Sequence, residues 1–303
     1  MSLIEDVEEN SIKPDNISIL WQNLRYEVKS FFGKQNKIIL RRLNGHLNRQ
    51  SLNGFLGPSG SGKTTLLNCL NGTLRSDIST DSEIYFNQNG SSSSSSLSPV
   101  IRMIEQNIQD TIVGKMTIRQ VLQYAFRLKN NRNDFQIINE HIGQVLEELL
   151  LDKNILDKRF EQCSGGEQRR IAIAQELMSI QSPDFLFLDE PTTGLDSNSA
   201  LLVMQCLRRL VDHNDHLTIL VSIHAPSSDI LNLFDQLYIL AKGGVCIYFD
   251  SPTNLQLILE KNFEHESTTD QLDRPPIEIY LKIACQGKFK VEFKAMMMMF
   301  FFP

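Results

Sequence analysis

The 303-residue sequence lacks any run of the roughly 18 to 20 apolar residues that a helix needs to cross a bilayer. Its apolar runs, such as 185–188 and 217–223, are short, and we expect them to be buried strands of a parallel sheet. The terminal MMMMFFFP is also too short to span. The acidic start, MSLIEDVEEN, has no basic region before an apolar stretch, so we expect no secretory signal.

Cysteine is scarce, and positive charge does not dominate. The five cysteines are widely spaced and include no CxxC pair, which argues against a disulfide framework or a zinc site and favours reduced thiols. The net charge of −6 disfavours a general nucleic-acid binder, which normally carries a basic face. We therefore expect no nucleic-acid partner.

Predicted strands and helices alternate along most of the chain. In the N-terminal half, strands are predicted at 17–28, 38–47, 51–56, 83–88 and 100–106, with helical spacing at 63–74 and 117–158. From residue 185 the pattern gives strands at 185–189, 217–223, 237–240 and 245–249, with helices at 198–211 and 227–234. Such alternation predicts an α/β fold with a mostly parallel sheet. The serine-rich segment 90–99 is predicted to be a flexible surface insertion.

A glycine-rich loop lies between a predicted strand and a predicted helix. It fits the phosphate-loop pattern G-x-x-x-x-G-K-[ST] and consists of Gly57, Pro58, Ser59, Gly60, Ser61, Gly62, Lys63 and Thr64. Glycines let backbone N–H groups approach phosphates closely, and the following helix points its positive N-terminus at the same anion. Lys63 adds a point charge for the phosphates, and Thr64 is a candidate ligand for Mg²⁺.

Four apolar residues at 185–188 end in two carboxylates. A buried strand would deliver Asp189 to the edge of the sheet, where it can hold the Mg²⁺ shell of a phosphoryl-transfer site. Glu190 would then polarise the attacking water as a general base. Alone, the same pattern is also compatible with a strand that ends in a solvated acidic turn.

The segment Cys163-Ser164-Gly165-Gly166-Glu167-Gln168 precedes a predicted helix. By itself it is explained by a helix N-cap and a tight turn. Together with the other motifs, however, the sequence resembles the ABC ATPases, whose signature motif contains Ser-Gly-Gly. The run DEPTTGLD at 189–196 resembles the family's Walker B motif and D-loop, and Ser222-Ile223-His224 resembles its H-loop.

Within this family the sequence looks most like the G subfamily of half-transporters, the eye-pigment, sterol or multidrug type. The similar segments are LWQNLRY at 20–26, DEPTTGLDS at 189–197, SIHAPSSDILNLFDQLYIL at 222–240 and PPIEIY at 275–280. In that subfamily a membrane domain of six helices follows the cassette. The resemblance therefore implies that the membrane domain is absent from these 303 residues.

The resemblance also implies a site that binds ATP and Mg²⁺. The phosphate loop would extend from Gly57 through Thr65. For catalysis the resemblance implies Lys63, the base Glu190 and the γ-phosphate sensor His224, and for Mg²⁺ it implies Thr64, Gln106 and Asp189. The other residues implied for the site are Ser164, Gly165 and Gly166 of the signature, Asp196 of the D-loop, and Tyr26, which would stack on adenine. Gln109 is the alternative to Gln106 as the Q-loop glutamine.

We thus expect an α/β P-loop NTPase core of the ABC ATPase type, with an antiparallel β subdomain and a helical subdomain. The expected divisions are an N-terminal tail at 1–16, the ATP-binding domain at 17–265 with its helical subdomain at about 115–165, and a linker towards the missing membrane domain with a C-terminal tail at 266–303.

The expected function is that of the ATP-binding and ATP-hydrolysing subunit of an ABC transporter. It would drive transmembrane transport by ATP-dependent dimerisation of two cassettes. Its partners would be a second cassette and a membrane domain or subunit, which would hold it on the cytoplasmic side of a membrane. A soluble non-transport ABC ATPase and a truncated regulatory cassette are the alternatives.

Overall fold

The structure, a computed structural model, describes residues 16–28, 36–87, 98–108, 112–263 and 275–286. Nearly all of the predicted N-terminal tail, most of the serine-rich segment and much of the predicted C-terminal linker lie outside these ranges. Gln109 also lies outside them.

The N-terminal strands form an antiparallel sheet. It contains β1 (Ile17–Val28), β2 (Lys37–Asn48) and β4 (Glu83–Phe86), in the order β2-β1-β4. Along much of β1 and β2 the buried and less buried residues alternate, as in sheets that cover a core with one face. The predicted antiparallel β subdomain is therefore confirmed.

The main sheet carries the predicted α/β pattern. Its strand order is β5 (Ile101–Ile104), β6 (Phe185–Asp189), β7 (Thr218–Ile223), β3 (Leu52–Leu56), β8 (Gln236–Ala241) and β9 (Val245–Asp250). Neighbouring strands run parallel except for β9, which is antiparallel to β8. Every residue of β3, β6 and β7 is buried, as expected for strands covered on both faces.

Helices connect and cover the strands. They are α1 (Lys63–Leu70), α2 (Ile118–Asn130), α3 (Phe135–Glu148), α4 (Gly165–Leu177), α5 (Ser197–His213), α6 (Ser228–Leu231), α7 (Leu255–Phe263) and α8 (Pro276–Gln286). Helix α1 is shorter than predicted because Gly72 adopts φ +79, which a continuing α-helix does not allow. The predicted helical region at 117–158 consists of α2, α3 and a 3₁₀ turn at Lys153–Asp157.

Buried apolar residues form two clusters on opposite faces of the main sheet. Alternate residues of one strand join different clusters: Leu186 and Leu188 of β6 join the larger one, and Phe185 and Phe187 join the smaller one. The larger cluster includes side chains from α2 to α5, whereas the smaller one includes α1 and the antiparallel sheet. The sheet is therefore the middle layer, and its strand ends are the natural place for a site.

None of the helices in the described ranges is both long enough and apolar enough to cross a membrane.

Candidate active site

The glycine-rich loop connects the end of β3 to the start of α1. Gly57, Gly60 and Gly62 adopt φ values of +147, +76 and +107, which favour glycine. A Cβ at Gly57 would lie 2.2 Å from the backbone oxygen of Leu240 in β8, so this position also needs glycine for its close packing. No side chain caps α1, and its first backbone N–H groups can therefore donate to an anion.

Lys63 folds its ammonium group back into this loop. Its Nζ donates hydrogen bonds to the oxygen of Gly57 at 2.8 Å and to that of Pro58 at 3.3 Å. The residue is 5% exposed. Burial lowers the pKa of the ammonium, and the nearby carboxylates of Glu190 and Asp189 oppose that shift. The site thus holds a buried cation beside two carboxylates.

Asp189 is the last residue of β6, and each of its carboxylate oxygens accepts a hydrogen bond. Thr64 Oγ1 donates to Asp189 Oδ2 at 2.8 Å. Ser222, from the neighbouring strand β7, donates its hydroxyl to Asp189 Oδ1. Thr64 and Asp189 are predicted Mg²⁺ ligands, and the structure brings their oxygens together across 125 residues of sequence.

The carboxylate of Glu190 is surrounded by four polar groups. His224 Nε2 lies 2.7 Å from Glu190 Oε1, and Lys63 Nζ lies 3.9 Å from the same oxygen. Gln106 Nε2 and Thr193 Oγ1 each donate to Glu190 Oε2 at 3.1 Å. The structure therefore gathers the two predicted catalytic partners of Glu190, together with Gln106, around a single carboxylate.

The residues present fit ATP and Mg²⁺. Thr64 and Asp189 supply hard oxygen ligands of the kind that Mg²⁺ prefers. Mg²⁺ usually binds through one or two carboxylates together with substrate phosphates and waters, so a single carboxylate beside a hydroxyl suits it. Ser61 Oγ is buried in the phosphate loop and has no hydrogen-bond partner among the described residues, which suits a site that receives polar atoms.

The Ser-Gly-Gly segment begins helix α4 at the surface. Ser164 is exposed and caps the helix, because its hydroxyl accepts from Glu167 N at 3.3 Å while Glu167 Oε2 accepts from Ser164 N at 2.7 Å. Asp196 caps α5 by accepting hydrogen bonds at Oδ1 from Asn198 N and Ser199 N. Among the described hydrogen bonds, none joins 164–166 to the phosphate loop.

Of the three remaining candidate residues, the structure describes Tyr26 and Gln106 but not Gln109. Tyr26 is 7% exposed and belongs to the smaller core cluster, so little of its ring is free to stack on a base. Its role stays a prediction. Gln106 lies at the site, whereas Gln109 falls outside the described residues.

Sequence reasoning missed three side chains that contact the site. Thr193 donates a hydrogen bond to Glu190, and Ser222 donates one to Asp189. Arg169 of α4 is 6% exposed and donates from Nη1 to the backbone oxygens of Gln106 at 2.9 Å and Glu105 at 3.3 Å. Thr193 and Ser222 lie inside the motifs at 189–196 and 222–224, and Arg169 directly follows the segment 163–168, which is the sequence signal for all three.

Comparison with known proteins agrees with these motifs. The chain matches the ABC transporter family over residues 40–193. It is 32% identical to ABC transporter G family member 11 of Arabidopsis thaliana over 244 residues, which are 76% of this chain and 32% of that protein. It is 34% identical to multidrug resistance protein CDR2 of Candida albicans, covering 78% of this chain and 16% of that protein. The chain thus spans a third or less of these relatives' length.

Solved structures show the same fold. The structure of cbiO1 from Clostridium perfringens, part of the ABC transporter complex cbiONQ, superimposes with a TM-score of 0.63 at 21% identity and covers 83% of this chain and 96% of that chain. The dimeric, post-hydrolysis structure of the cassette MJ0796 bound to ADP and Pi gives 0.61 at 22% identity, with 77% and 98% covered. The predicted P-loop NTPase core of the ABC ATPase type is confirmed, and the chain belongs to the ABC transporter family as an ATPase cassette.

Proposed function

We propose that the chain is the ATP-binding and ATP-hydrolysing subunit of an ABC transporter and drives transport through ATP-dependent pairing of two cassettes. One observation carries the proposal: the side chains of Lys63, Gln106, Glu190 and His224 meet at the carboxyl ends of the parallel strands, beside the pair Thr64–Asp189. These groups supply the cation, the metal ligands and the base that phosphoryl transfer requires.

The phosphate loop would bind the β- and γ-phosphates of ATP from Gly57 through Thr65. Lys63 turns from its present acceptors, the oxygens of Gly57 and Pro58, towards the phosphate oxygens, which are stronger acceptors because they are charged. Thr64, Asp189 and Gln106 would hold Mg²⁺. When bound, Mg²⁺ neutralises charge on the phosphates.

Glu190 would act as the general base for the attacking water. His224 Nε2, Gln106 and Thr193 restrain both of its oxygens, so the carboxylate is oriented before a water is activated. His224 also lies 3.2 Å from the oxygen of Gly57 through Nδ1, and it would sense the γ-phosphate from that position.

A second cassette would complete the site. The N-terminus of α4, with the exposed Ser164 and Gly165 and the buried Gly166, would bind the nucleotide held by the other copy, because helix N-termini favour anions. Asp196 would contact the partner cassette across the same interface. Tyr26 would contact the adenine base of the bound ATP. The dimeric cassette among the structural neighbours supports this arrangement.

The transport role rests on the relatives. Their names include a multidrug resistance protein and several G family transporters, and they are three times or more as long as the matched segment. We take residues 17–265 as the cassette, with about 115–165 as its helical subdomain, and 266–303 as a linker towards a membrane domain and a C-terminal tail. A membrane domain or subunit would hold the cassette on the cytoplasmic side.

The variant Glu190→Gln tests the proposed activity. Since an amide cannot take the proton from water, ATP hydrolysis should fall by about 100-fold or more while ATP binding persists. Light scattering with Mg-ATP should then detect a trapped dimer. Glu140→Gln, at an exposed carboxylate on α3, is the control and should hydrolyse ATP at the wild-type rate. Wild-type hydrolysis by Glu190→Gln would refute its role as the base, and a wild-type chain without ATPase activity would refute the function.

A further inference from the structure

We propose that Ser222 is a positioning residue that orients both Asp189 and Glu190 for metal binding and hydrolysis. The inference rests on the proposed function and deepens it. Ser222 lies near the end of β7, is completely buried, and pairs in register with Asp189 of β6.

One hydroxyl group makes two hydrogen bonds to the acidic pair. It donates to Asp189 Oδ1, and it accepts from the backbone N–H of Glu190 at 2.9 Å. A serine hydroxyl has one donor, so its proton is committed to Asp189. The same atom therefore fixes the side chain of one acidic residue and the backbone of the next.

The first bond fixes the rotation of the Asp189 carboxylate about its terminal torsion. With Oδ1 held by Ser222, Oδ2 is the oxygen directed at Thr64 Oγ1. Without the hydroxyl, the carboxylate can rotate about its terminal torsion, because such sp³–sp² torsions are broad. The pair Thr64–Asp189 would then lose its fixed geometry, although both ligands remain.

The second bond secures an unfavourable backbone conformation. Glu190 has φ +49, which a residue with a Cβ rarely adopts, and such conformations persist only where the surroundings hold them. The N–H of Glu190 is held by both Ser222 Oγ and Ser222 O. This conformation directs the carboxylate towards His224 and Gln106. Loss of the hydroxyl removes one of these two bonds and should therefore loosen the base as well as the metal ligand.

A purely structural role for the hydroxyl is the competing explanation. Thr218 offers the matched control, because it is also completely buried in β7 but lies at the opposite end of the strand. Its hydroxyl contacts Asn48 O at 3.1 Å and Ser18 Oγ at 3.3 Å, away from the site. Thr218→Val removes a buried hydroxyl at nearly constant volume, so it reproduces the loss of stability without the loss of positioning.

The experiment compares the wild type with Ser222→Ala, Ser222→Thr and Thr218→Val in the complete chain. Mn²⁺ replaces Mg²⁺ and is titrated by electron paramagnetic resonance into each protein with a non-hydrolysable ATP analogue. ATPase kinetics and thermal unfolding are measured in parallel. Ser222→Ala should weaken Mn²⁺ binding by about tenfold and lower kcat by about 10- to 100-fold, with KM for ATP changed less than threefold. Ser222→Thr, which keeps the hydroxyl, should recover Mn²⁺ affinity.

The outcomes separate the two proposals. Equal loss of Mn²⁺ affinity in Ser222→Ala and Thr218→Val would overturn the positioning role, because it would trace the effect to stability. Unchanged Mn²⁺ affinity and kcat in Ser222→Ala would overturn it as well. A wild-type chain that binds no nucleotide would instead overturn the proposed function. A wild type that binds the analogue and Mn²⁺ but does not hydrolyse ATP still tests Ser222 through the Mn²⁺ titration.

Discussion

Alanine at Gly57 should destabilise the cassette by about 2–6 kcal/mol. The new Cβ would lie 2.2 Å from Leu240 O, well inside van der Waals contact, and 2.9 Å from Ser61 Oγ. Leu240 belongs to β8, which is hydrogen-bonded to β3, so its oxygen cannot move away without disturbing the sheet. Overpacking of this kind costs about 1–3 kcal/mol. The φ of +147 lies outside the left-handed helical region and adds about 1–3 kcal/mol of backbone strain for a residue with a Cβ.

Gly60→Ala provides the matched control in the same loop. Gly60 also has a positive φ, +76, but no heavy atom lies within 4 Å of the position of its Cβ. The control should therefore lose only the backbone strain, about 1–2 kcal/mol. The difference between the variants, about 1–3 kcal/mol, should come mainly from the steric cost of the close approach of the loop to β8.

Urea unfolding of both variants and the wild type measures this difference. The midpoint should fall further for Gly57→Ala than for Gly60→Ala, with similar slopes, because the fold buries the same surface. Equal loss of stability in the two variants would refute the steric argument. The conclusion would then be that β8 relaxes away from the loop and that Gly57 is needed only for its φ.

Three further predictions concern binding and helix capping. Lys63→Ala should abolish measurable ATP binding in a calorimetric titration, because the buried ammonium is lost; wild-type affinity would contradict its role. Gln106→Ala should impair metal-dependent ATPase activity while Gln109→Ala should not, and the reverse outcome would transfer the Q-loop role to Gln109. Ser164→Ala and Thr117→Ala each remove a capping hydroxyl and should each cost about 1 kcal/mol in unfolding free energy, but only Ser164→Ala should reduce ATPase activity.

The sequence was sufficient for the fold and for the charged part of the site. The phosphate loop is recognisable from neighbouring residues alone, because its glycines, Lys63 and the following helix are consecutive in the sequence. The buried strands also identify themselves by short apolar runs, as at 185–188. Residues such as Lys63 and Asp189 were therefore predictable from their neighbours in the chain.

The hydroxyl partners of the site were not predictable in that way. Ser222 contacts Asp189 across 33 residues, and the contact exists only because β6 and β7 pair in one particular register. A shift of one residue would turn the hydroxyl to the other face of the sheet. The contact of Thr193 with Glu190 depends likewise on the turn after Glu190, and no sequence pattern predicts the positive φ of Glu190.

The predicted end of α1 was wrong, because apolar spacing continued past Leu70 whereas Gly72 ended the helix.

Glu190 connects the chemistry to the rest of the cassette through one chain of contacts. Gln106 donates to its carboxylate, and the backbone oxygen of Gln106 is held by Arg169. Arg169 belongs to α4, the helix that Ser164 begins. Because the Arg169 guanidinium is buried, with a pKa lowered by that burial, its bonds to the Gln106 segment cannot be exchanged for water without cost. A movement of α4 relative to the sheet must therefore carry Gln106 with it or break those bonds, and either result changes the hydrogen bonding of the proposed base.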